Sequence, residues 1–402
     1  MRKNFVAQIG IAFVLAIIVG LILGENATFI QPLGDAFLRL IQFIIVPLIL
    51  ATIVVGVTSA GNIKKLGRLG GKTIGYYLFT TLIAISIGLL AGYLLSPGTG
   101  VDVSVDSGSV EPTETEGVVD TLLNIIPTNP FEALTSGAIL QIIFTAIFIG
   151  IGITMVGEKA APVQRFFDGL AEVMYKITSI VMLVVPIGVF GLLAPVVGTH
   201  GASVLMPLIK VIIAMAIAAL VHVIVTYSIM VKTFGKMSPI KFFKGILPAA
   251  TVGFSTCSSA GTLPVTLKNT QENLGVSKST SSFVLPLGAT INMDGTALYQ
   301  GIAVMFIAQF YGMELAFSQI LMVVLIATLA SIGTAGVPGA GLVMLTMVAT
   351  AINLPIEGIA LVAGIDRILD MFRTSVNVVG DASASVVVDS TEDLEENEQQ
   401  TA

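Results

Sequence analysis

Long apolar runs separated by short polar breaks organise this chain. They cover residues 5–24, 36–60, 74–96, 138–156, 177–197, 203–231, 283–311, 316–332 and 342–365. Several reach the roughly 20 residues that a helix needs to cross a hydrocarbon core. The runs up to residue 231 predict six conventional membrane-crossing helices. After that point the pattern changes, because the apolar runs are broken from within.

The first break is Thr256-Cys257-Ser258-Ser259-Ala260-Gly261-Thr262-Leu263-Pro264, in an apolar stretch with lysines on both flanks, Lys241 and Lys244 before it and Lys268 and Lys278 after it. Cationic flanks on both sides place both ends in the cytoplasm, so this segment is predicted to enter and leave from one side, a re-entrant hairpin. A second break, Ser331-Ile332-Gly333-Thr334-Ala335-Gly336-Val337-Pro338-Gly339-Ala340-Gly341, starts 75 positions later (331 against 256). Paired Gly/Pro-interrupted segments in two half-repeats point to a transporter's substrate site, whereas close helix packing alone is the simpler account of such glycines. Between them, Thr290-Ile291-Asn292-Met293-Asp294-Gly295-Thr296 interrupts the 283–311 run. Carboxylate, amide, hydroxyl and freed carbonyl oxygens are the hard ligands that alkali cations use, so an unwound helix is expected here as a cation site.

The last run carries Asp366, Asp370, Arg373, Asn377 and Asp381 at steps of 4, 3, 4 and 4. At about 3.6 residues per turn these share one helical face. A charge facing lipid costs roughly 2.5–3.5 kcal/mol or more, so the stripe must face protein or water. It is the candidate binding site, with neutralisation of Asp370 by Arg373 along the helix as its purely structural alternative.

Composition agrees with a polytopic membrane protein: 55% hydrophobic and 11% charged residues over 402 positions, with a mean hydropathy of +0.96. Arg2 and Lys3 precede an apolar core with no convincing cleavage site before Glu25, so a retained first helix is expected rather than a signal peptide. Lys and Arg cluster near 64–72, 159–165 and 232–244 and are absent from 25–35, 97–120 and 197–205, which puts the amino terminus inside. The net charge of −6 is concentrated in 102–120 and 389–398, which are expected to be a solvated loop and tail. One cysteine, Cys257, excludes an internal disulfide, and His200 and His222 make a structural metal site improbable. Neither a phosphate-binding loop nor a Ser/His/Asp or Cys/His set is found within one segment, so an enzyme is not expected, and no nucleic-acid partner is. An ion channel is the strongest alternative from another class, since re-entrant hairpins can also build a pore filter.

Together these segments, Asn292-Met293-Asp294-Gly295-Thr296, Ser258-Ser259 followed by Gly261-Thr262-Leu263-Pro264, Gly333-Thr334-Ala335-Gly336-Val337-Pro338-Gly339 and the charged last helix, resemble the dicarboxylate/amino acid:cation symporter family along the whole chain. The likeness is greatest to archaeal and bacterial aspartate/glutamate transporters. It implies an all-α fold of eight transmembrane helices plus two re-entrant helical hairpins, with inverted repeats and an elevator-type motion. A homotrimer in the cell membrane, with both termini cytoplasmic, is implied as well. Residues 1–70 would be scaffold helices 1–2, 71–96 helix 3 of a transport domain, 97–120 an external acidic loop and 121–200 scaffold helices 4–5. Residues 201–389 would complete the transport domain with helix 6, the first hairpin, helix 7, the second hairpin and helix 8, and 390–402 would be an acidic cytoplasmic tail.

The resemblance also implies roles. Asp370 would take the substrate ammonium, Arg373 its side-chain carboxylate and Asn377 its main-chain carboxylate, with Ser258, Ser259, Met293, Thr296, Thr374 and the segment Val337, Pro338, Gly339, Ala340 and Gly341 closing the pocket. A guanidinium matches a carboxylate as a two-pronged fork, which agrees with that assignment. Sodium as the co-transported ion would use Gly288, Asn292, Asn377 and Asp381 at one site. Thr290, Met293, Ser331, Ile332 and Thr334 would form a second, and Tyr77, Thr80, Thr81, Asn292 and Asp294 a third. Two departures stand out: Cys257 replaces a hairpin arginine of archaeal relatives, for which Arg367 is expected to compensate, and Ala260 replaces a serine. Gln300 stands where proton-coupled animal carriers have a glutamate, so sodium coupling without obligatory proton movement is expected. C4-dicarboxylates and neutral amino acids are the rival substrates within the family.

Overall fold

The computed structural model describes residues 5–59, 63–100, 123, 125–331 and 340–401. Among them every regular element is helical. Helix α1 spans Phe5–Leu23, α2 Gln31–Ser59 and α3 Ile63–Leu95. The short α4, Pro130–Ser136, is bounded as its sequence requires. The Asn129 side chain accepts a hydrogen bond from Phe131 N–H (3.0 Å), Pro130 opens the first turn, and Gly137 ends the helix at φ +71°. Then follow α5, Ile139–Val156, α6, Ala161–Met182, α7, Val185–His200, and α8, Leu205–Val221, which runs through a π-helical turn at His222–Tyr227 into α9, Ser228–Thr233.

The first expected hairpin is present as α10, Pro239–Thr256, packed against α11, Ser259–Glu272. Its tip is two residues. Cys257 adopts a left-handed conformation (φ +53°) that ends α10, and the Ser258 hydroxyl accepts from Gly261 N–H (3.0 Å) to start α11. The expected interruption at 290–296 is also present, between α12, Lys278–Ile291, and α13, Asp294–Phe310, with Asn292 extended. The second hairpin has its arms in α14, Phe317–Ser331, and α15, Ala340–Ala351. Its connection, with Ile332, Thr334, Val337, Pro338 and Gly339, lies outside the described residues. Helix α16, Gly358–Thr401, completes the chain.

Two expectations are corrected. The 177–197 run is not one helix: α6 ends at Met182, a turn at 183–184 follows, and Pro186 sits in the first turn of α7, where its missing N–H costs nothing. The acidic stretch 389–398, expected as a solvated tail, continues α16 as helix, which its Glu- and Gln-rich sequence favours. Besides these, the 342–365 run is divided, since Asn353 turns at φ +56° and Pro355 cannot continue a helix.

Packing divides the helices into two sets. One has α1 against α7, and α2 against α5, α6 and α7. In the other, α3 lies along α13, and α16 is surrounded by α8, α10, α11, α12 and α13. Close approach in the second set depends on glycine: a Cβ on Gly301 would lie 2.5 Å from Leu89 N and 2.8 Å from Gly88 C. Small residues of this kind let α3 and α13 touch backbone to backbone, as helices in lipid commonly do. The polar stripe of α16 is thereby enclosed: Asp366, Asp370, Arg373, Asn377 and Asp381 are each no more than 6% exposed.

Candidate substrate and cation sites

Arg373 is the centre of the upper part of the stripe and is 2% exposed. Its Nη1 donates to Asp366 Oδ1 (2.9 Å), and its Nε donates to Asp370 Oδ1 (3.3 Å). Nη2 lies 2.9 Å from the same Asp370 oxygen without an aligned hydrogen bond among the described residues. The guanidinium carbon also sits 4.4 Å from the centre of the Tyr299 ring, a cation–π contact. These contacts hold the fork on one side and leave a buried donor with capacity for an anion. Gly341, at the start of α15, lies directly against the guanidinium, and any side chain there would occupy its place.

Ser259, Thr296 and Thr374 are all buried as well. Thr296 Oγ1 is 3.8 Å from Met293 Sδ. Asn377 works in two directions. Its Oδ1 accepts from Gly295 N–H (2.8 Å), which satisfies an amide at the start of α13, while its Nδ2 faces Met293 Sδ at 3.3 Å. A thioether is a weak acceptor, so this amide donor is available to a stronger one. Gly295 itself is pressed onto α16, with a Cβ there only 2.6 Å from Arg373 Cα. Ser258 is engaged at the hairpin tip through Gly261. Arg367 is half-buried and makes no ion pair among the described residues.

Two further buried carboxylates, Asp381 at the far end of the stripe and Asp294 at the start of α13, have only neutral or histidine partners among the described residues. Asp381 Oδ1 accepts from Asn292 Nδ2 (2.8 Å), which also donates to the Asn377 carbonyl (3.1 Å). Asn292 Oδ1 is buried and has no partner among the described residues. A Cβ on Gly288 would come within 2.5 Å of Asp381 Oδ1, so glycine keeps the ground beside that carboxylate open. Asp294 Oδ1 accepts from Thr81 Oγ1 (2.7 Å), and Oδ2 from Tyr227 OH (2.8 Å), with His222 Nε2 at 3.2 Å. Carboxylate, amide, hydroxyl and carbonyl oxygens without a lysine or arginine are a donor set that suits an alkali cation.

The sequence-derived sets are brought together unevenly. Gly288, Asn292, Asn377 and Asp381 converge, and so do Thr81 and Asp294. Tyr77 instead donates to Val284 O (3.1 Å), and Thr80 to Tyr77 O (3.2 Å), so neither hydroxyl is directed at Asp294. In the remaining set, Thr290 is bonded to Leu287 O and Ser331 to Thr328 O, and no hydrogen bond joins them, while Ile332 and Thr334 are outside the described residues.

Residues 5–391 match the sodium:dicarboxylate symporter family. The chain belongs to that family. Among its relatives, the proton/sodium-glutamate symport protein of Geobacillus stearothermophilus is 42% identical, covering 96% of this chain and 94% of the relative. The proton/glutamate-aspartate symporter of Escherichia coli strain K12 is 35% identical over 96% and 93%. A C4-dicarboxylate transport protein of Bacillus subtilis is 34% identical over 96% and 93%. These relatives are transporters and not enzymes.

In this symporter the sequence left several partners unread. Asp366 was visible on the stripe but had no role, and it is the residue that holds Arg373 Nη1. Its seven-residue separation from Arg373, two helical turns, was the available signal. Tyr299 left no such signal, because it reaches Arg373 from another helix. His222 carries no signal in the sequence for its neighbour Asp294, 72 positions away.

Proposed function

We propose that this chain is a secondary active transporter that carries an acidic amino acid, L-aspartate or L-glutamate, into the cell together with sodium. The observation that carries this reading is the pairing of a buried, pre-oriented Arg373 with Asp370 beside it, together with two buried carboxylates, Asp381 on the same helix face and Asp294 on α13, that have no Lys or Arg partner among the described residues. Arg373 receives the side-chain carboxylate, Asp370 the ammonium group and Asn377 the main-chain carboxylate. Ser258, Ser259, Met293, Thr296, Thr374 and the second hairpin, Val337 to Gly341, close around them. A C4-dicarboxylate would leave Asp370 without its ammonium, and a neutral amino acid would bring no side-chain carboxylate to the Nη2 donor of Arg373.

Sodium binds at Asp381 with Asn292, at Asp294 with Thr81, and between Thr290, Met293 and the second hairpin. Charge then couples the steps: a carboxylate left bare during transit is penalised by burial, so movement requires ion and substrate together. The two packing sets support a scaffold of helices 1, 2, 4 and 5 and a transport domain that moves past it as an elevator within a homotrimer. Gln300 is buried and its amide has no partner among the described residues. An amide does not carry a proton near neutral pH, so sodium rather than a proton drives this carrier, although several relatives are named for protons.

The test is uptake of radiolabelled L-aspartate and L-glutamate into proteoliposomes under an inward sodium gradient, with Arg373→Ala alongside. Sodium-dependent accumulation that is lost in the variant supports the reading. Uptake of succinate or serine instead would replace the substrate, uptake driven by a pH gradient without sodium would replace the ion, and substrate-independent flux would indicate a channel.

A further inference from the structure

The π-helical turn at His222–Tyr227 interrupts an otherwise regular membrane helix. Such a turn carries i→i+5 bonding, is rare, and is found often at functional sites. Its geometric consequence here is specific. In an ordinary α-helix, residues five apart point about 140° away from each other. The widened turn brings them nearer to one side, and both His222 and Tyr227 reach the same atom, Asp294 Oδ2, at 3.2 and 2.8 Å. Their rings meet edge to face at 4.8 Å between centroids, and both side chains are fully buried.

The two oxygens of Asp294 are consequently treated differently. A carboxylate only accepts, so His222 presents its Nε2–H tautomer to Oδ2, and its Nδ1 has no partner among the described residues. Oδ2 is occupied by two donors from one turn. Among the described residues Oδ1 receives only the Thr81 hydroxyl, at 2.7 Å, and that hydroxyl keeps its own lone pairs. We propose that His222 and Tyr227 are positioning residues for the Asp294 cation site: by engaging Oδ2 they fix the carboxylate so that Oδ1 and Thr81 Oγ1 are offered together to sodium. This inference rests on the reading of Asp294 as a sodium ligand, and it assigns the π-helical turn a task that neither residue could perform alone.

The experiment compares wild type with His222→Leu, His222→Gln and Tyr227→Phe. Thermal unfolding of the purified protein in nanodiscs is followed across a sodium chloride series with choline chloride keeping ionic strength constant, without amino acid, so that sodium binding is read apart from transport. Uptake in proteoliposomes then gives the half-saturating sodium concentration and, at saturating sodium, the substrate KM. His222→Leu is expected to raise half-saturating sodium at least tenfold while KM at saturating sodium changes less than twofold. His222→Gln, which keeps an N–H donor near the position of Nε2, is expected to stay within threefold of wild type. Tyr227→Phe deletes a single oxygen, is the variant to rely on should His222→Leu not fold, and is expected to shift sodium dependence in the same direction by threefold or more. Unchanged sodium dependence in Tyr227→Phe, or a His222→Gln protein as impaired as His222→Leu, overturns the proposal. A wild type with neither sodium-dependent unfolding nor sodium-dependent uptake would instead overturn the earlier reading of the ion.

Discussion

Two levels of the buried polar interior, one around Arg373 of α16 and one where Asp381 of α16 and Asp294 of α13 lie, solve the problem of buried charge in opposite ways. At the Arg373 level, the cation is flanked by Asp366 and Asp370 at 2.9 Å each, so the group is largely neutralised by the protein itself. At the Asp294 and Asp381 level, the carboxylates have hydroxyl, amide and imidazole partners but no lysine or arginine among the described residues. A buried ion pair can persist without a ligand, whereas an isolated buried carboxylate is expensive until a positive charge arrives. The comparison teaches that one scaffold can neutralise a buried charge within itself at one level and, at the other, leave buried carboxylates that only an incoming cation would neutralise.

The strongest way to break this comparison is to remove the arginine. Arg373→Ala leaves Asp366 and Asp370 as adjacent buried acids, and uptake of aspartate is expected to fall more than a hundredfold, measured as initial rate in proteoliposomes at saturating sodium. Next in size, Asp381→Asn is expected to raise half-saturating sodium by well over tenfold while leaving the Arg373 cluster intact; a sodium curve like that of wild type would remove Asp381 from the cation site. Asp366→Asn sharpens the other side. It keeps the shape but weakens the hold on Nη1, and loss of a charged hydrogen bond worth roughly 1.5–3 kcal/mol corresponds to about a tenfold or larger rise in substrate KM. A KM unaffected by that change would show that Asp370 alone orients the guanidinium. Gly288→Ala should shift sodium dependence severalfold, because its methyl group would press on Asp381 Oδ1.

The smallest effect is expected outside the spanning segments, where Glu392 accepts hydrogen bonds from Arg68 and from Lys72 (2.8 Å). Partial burial acts to raise the Glu392 carboxyl, but the hydrogen bonds from Arg68 and Lys72 and their charges outweigh it and hold the group below its usual range. A carboxyl lowered by folding stabilises the folded state above its ordinary titration range, and this contribution is lost as pH falls through the lowered value. Glu392→Gln is therefore expected to cost at most about 1 kcal/mol at neutral pH. The difference from wild type should disappear in acid, as read by thermal unfolding at a series of pH values. A difference that grew on acidification would refute this sign.

By itself the sequence determined the membrane class, the first hairpin, the break at Asn292–Met293 and the inward face of α16. Each follows from a local rule: an apolar length, lysines on both flanks of a polar break, a charge that lipid does not tolerate, and helical spacing. The family likeness then named most of the residues that converge on the site. Tertiary structure decided what pairs with what. Asp366 rather than substrate groups alone holds Arg373, Tyr77 turns to Val284 instead of Asp294, and His222 and Tyr227 arrive from a helix whose widened turn no residue pattern announced. The contacts of Tyr77, His222 and Tyr227 join segments 67 to 207 positions apart. They depend on how closely backbones approach, and that is set by packing across helices rather than by the order of residues along any one of them.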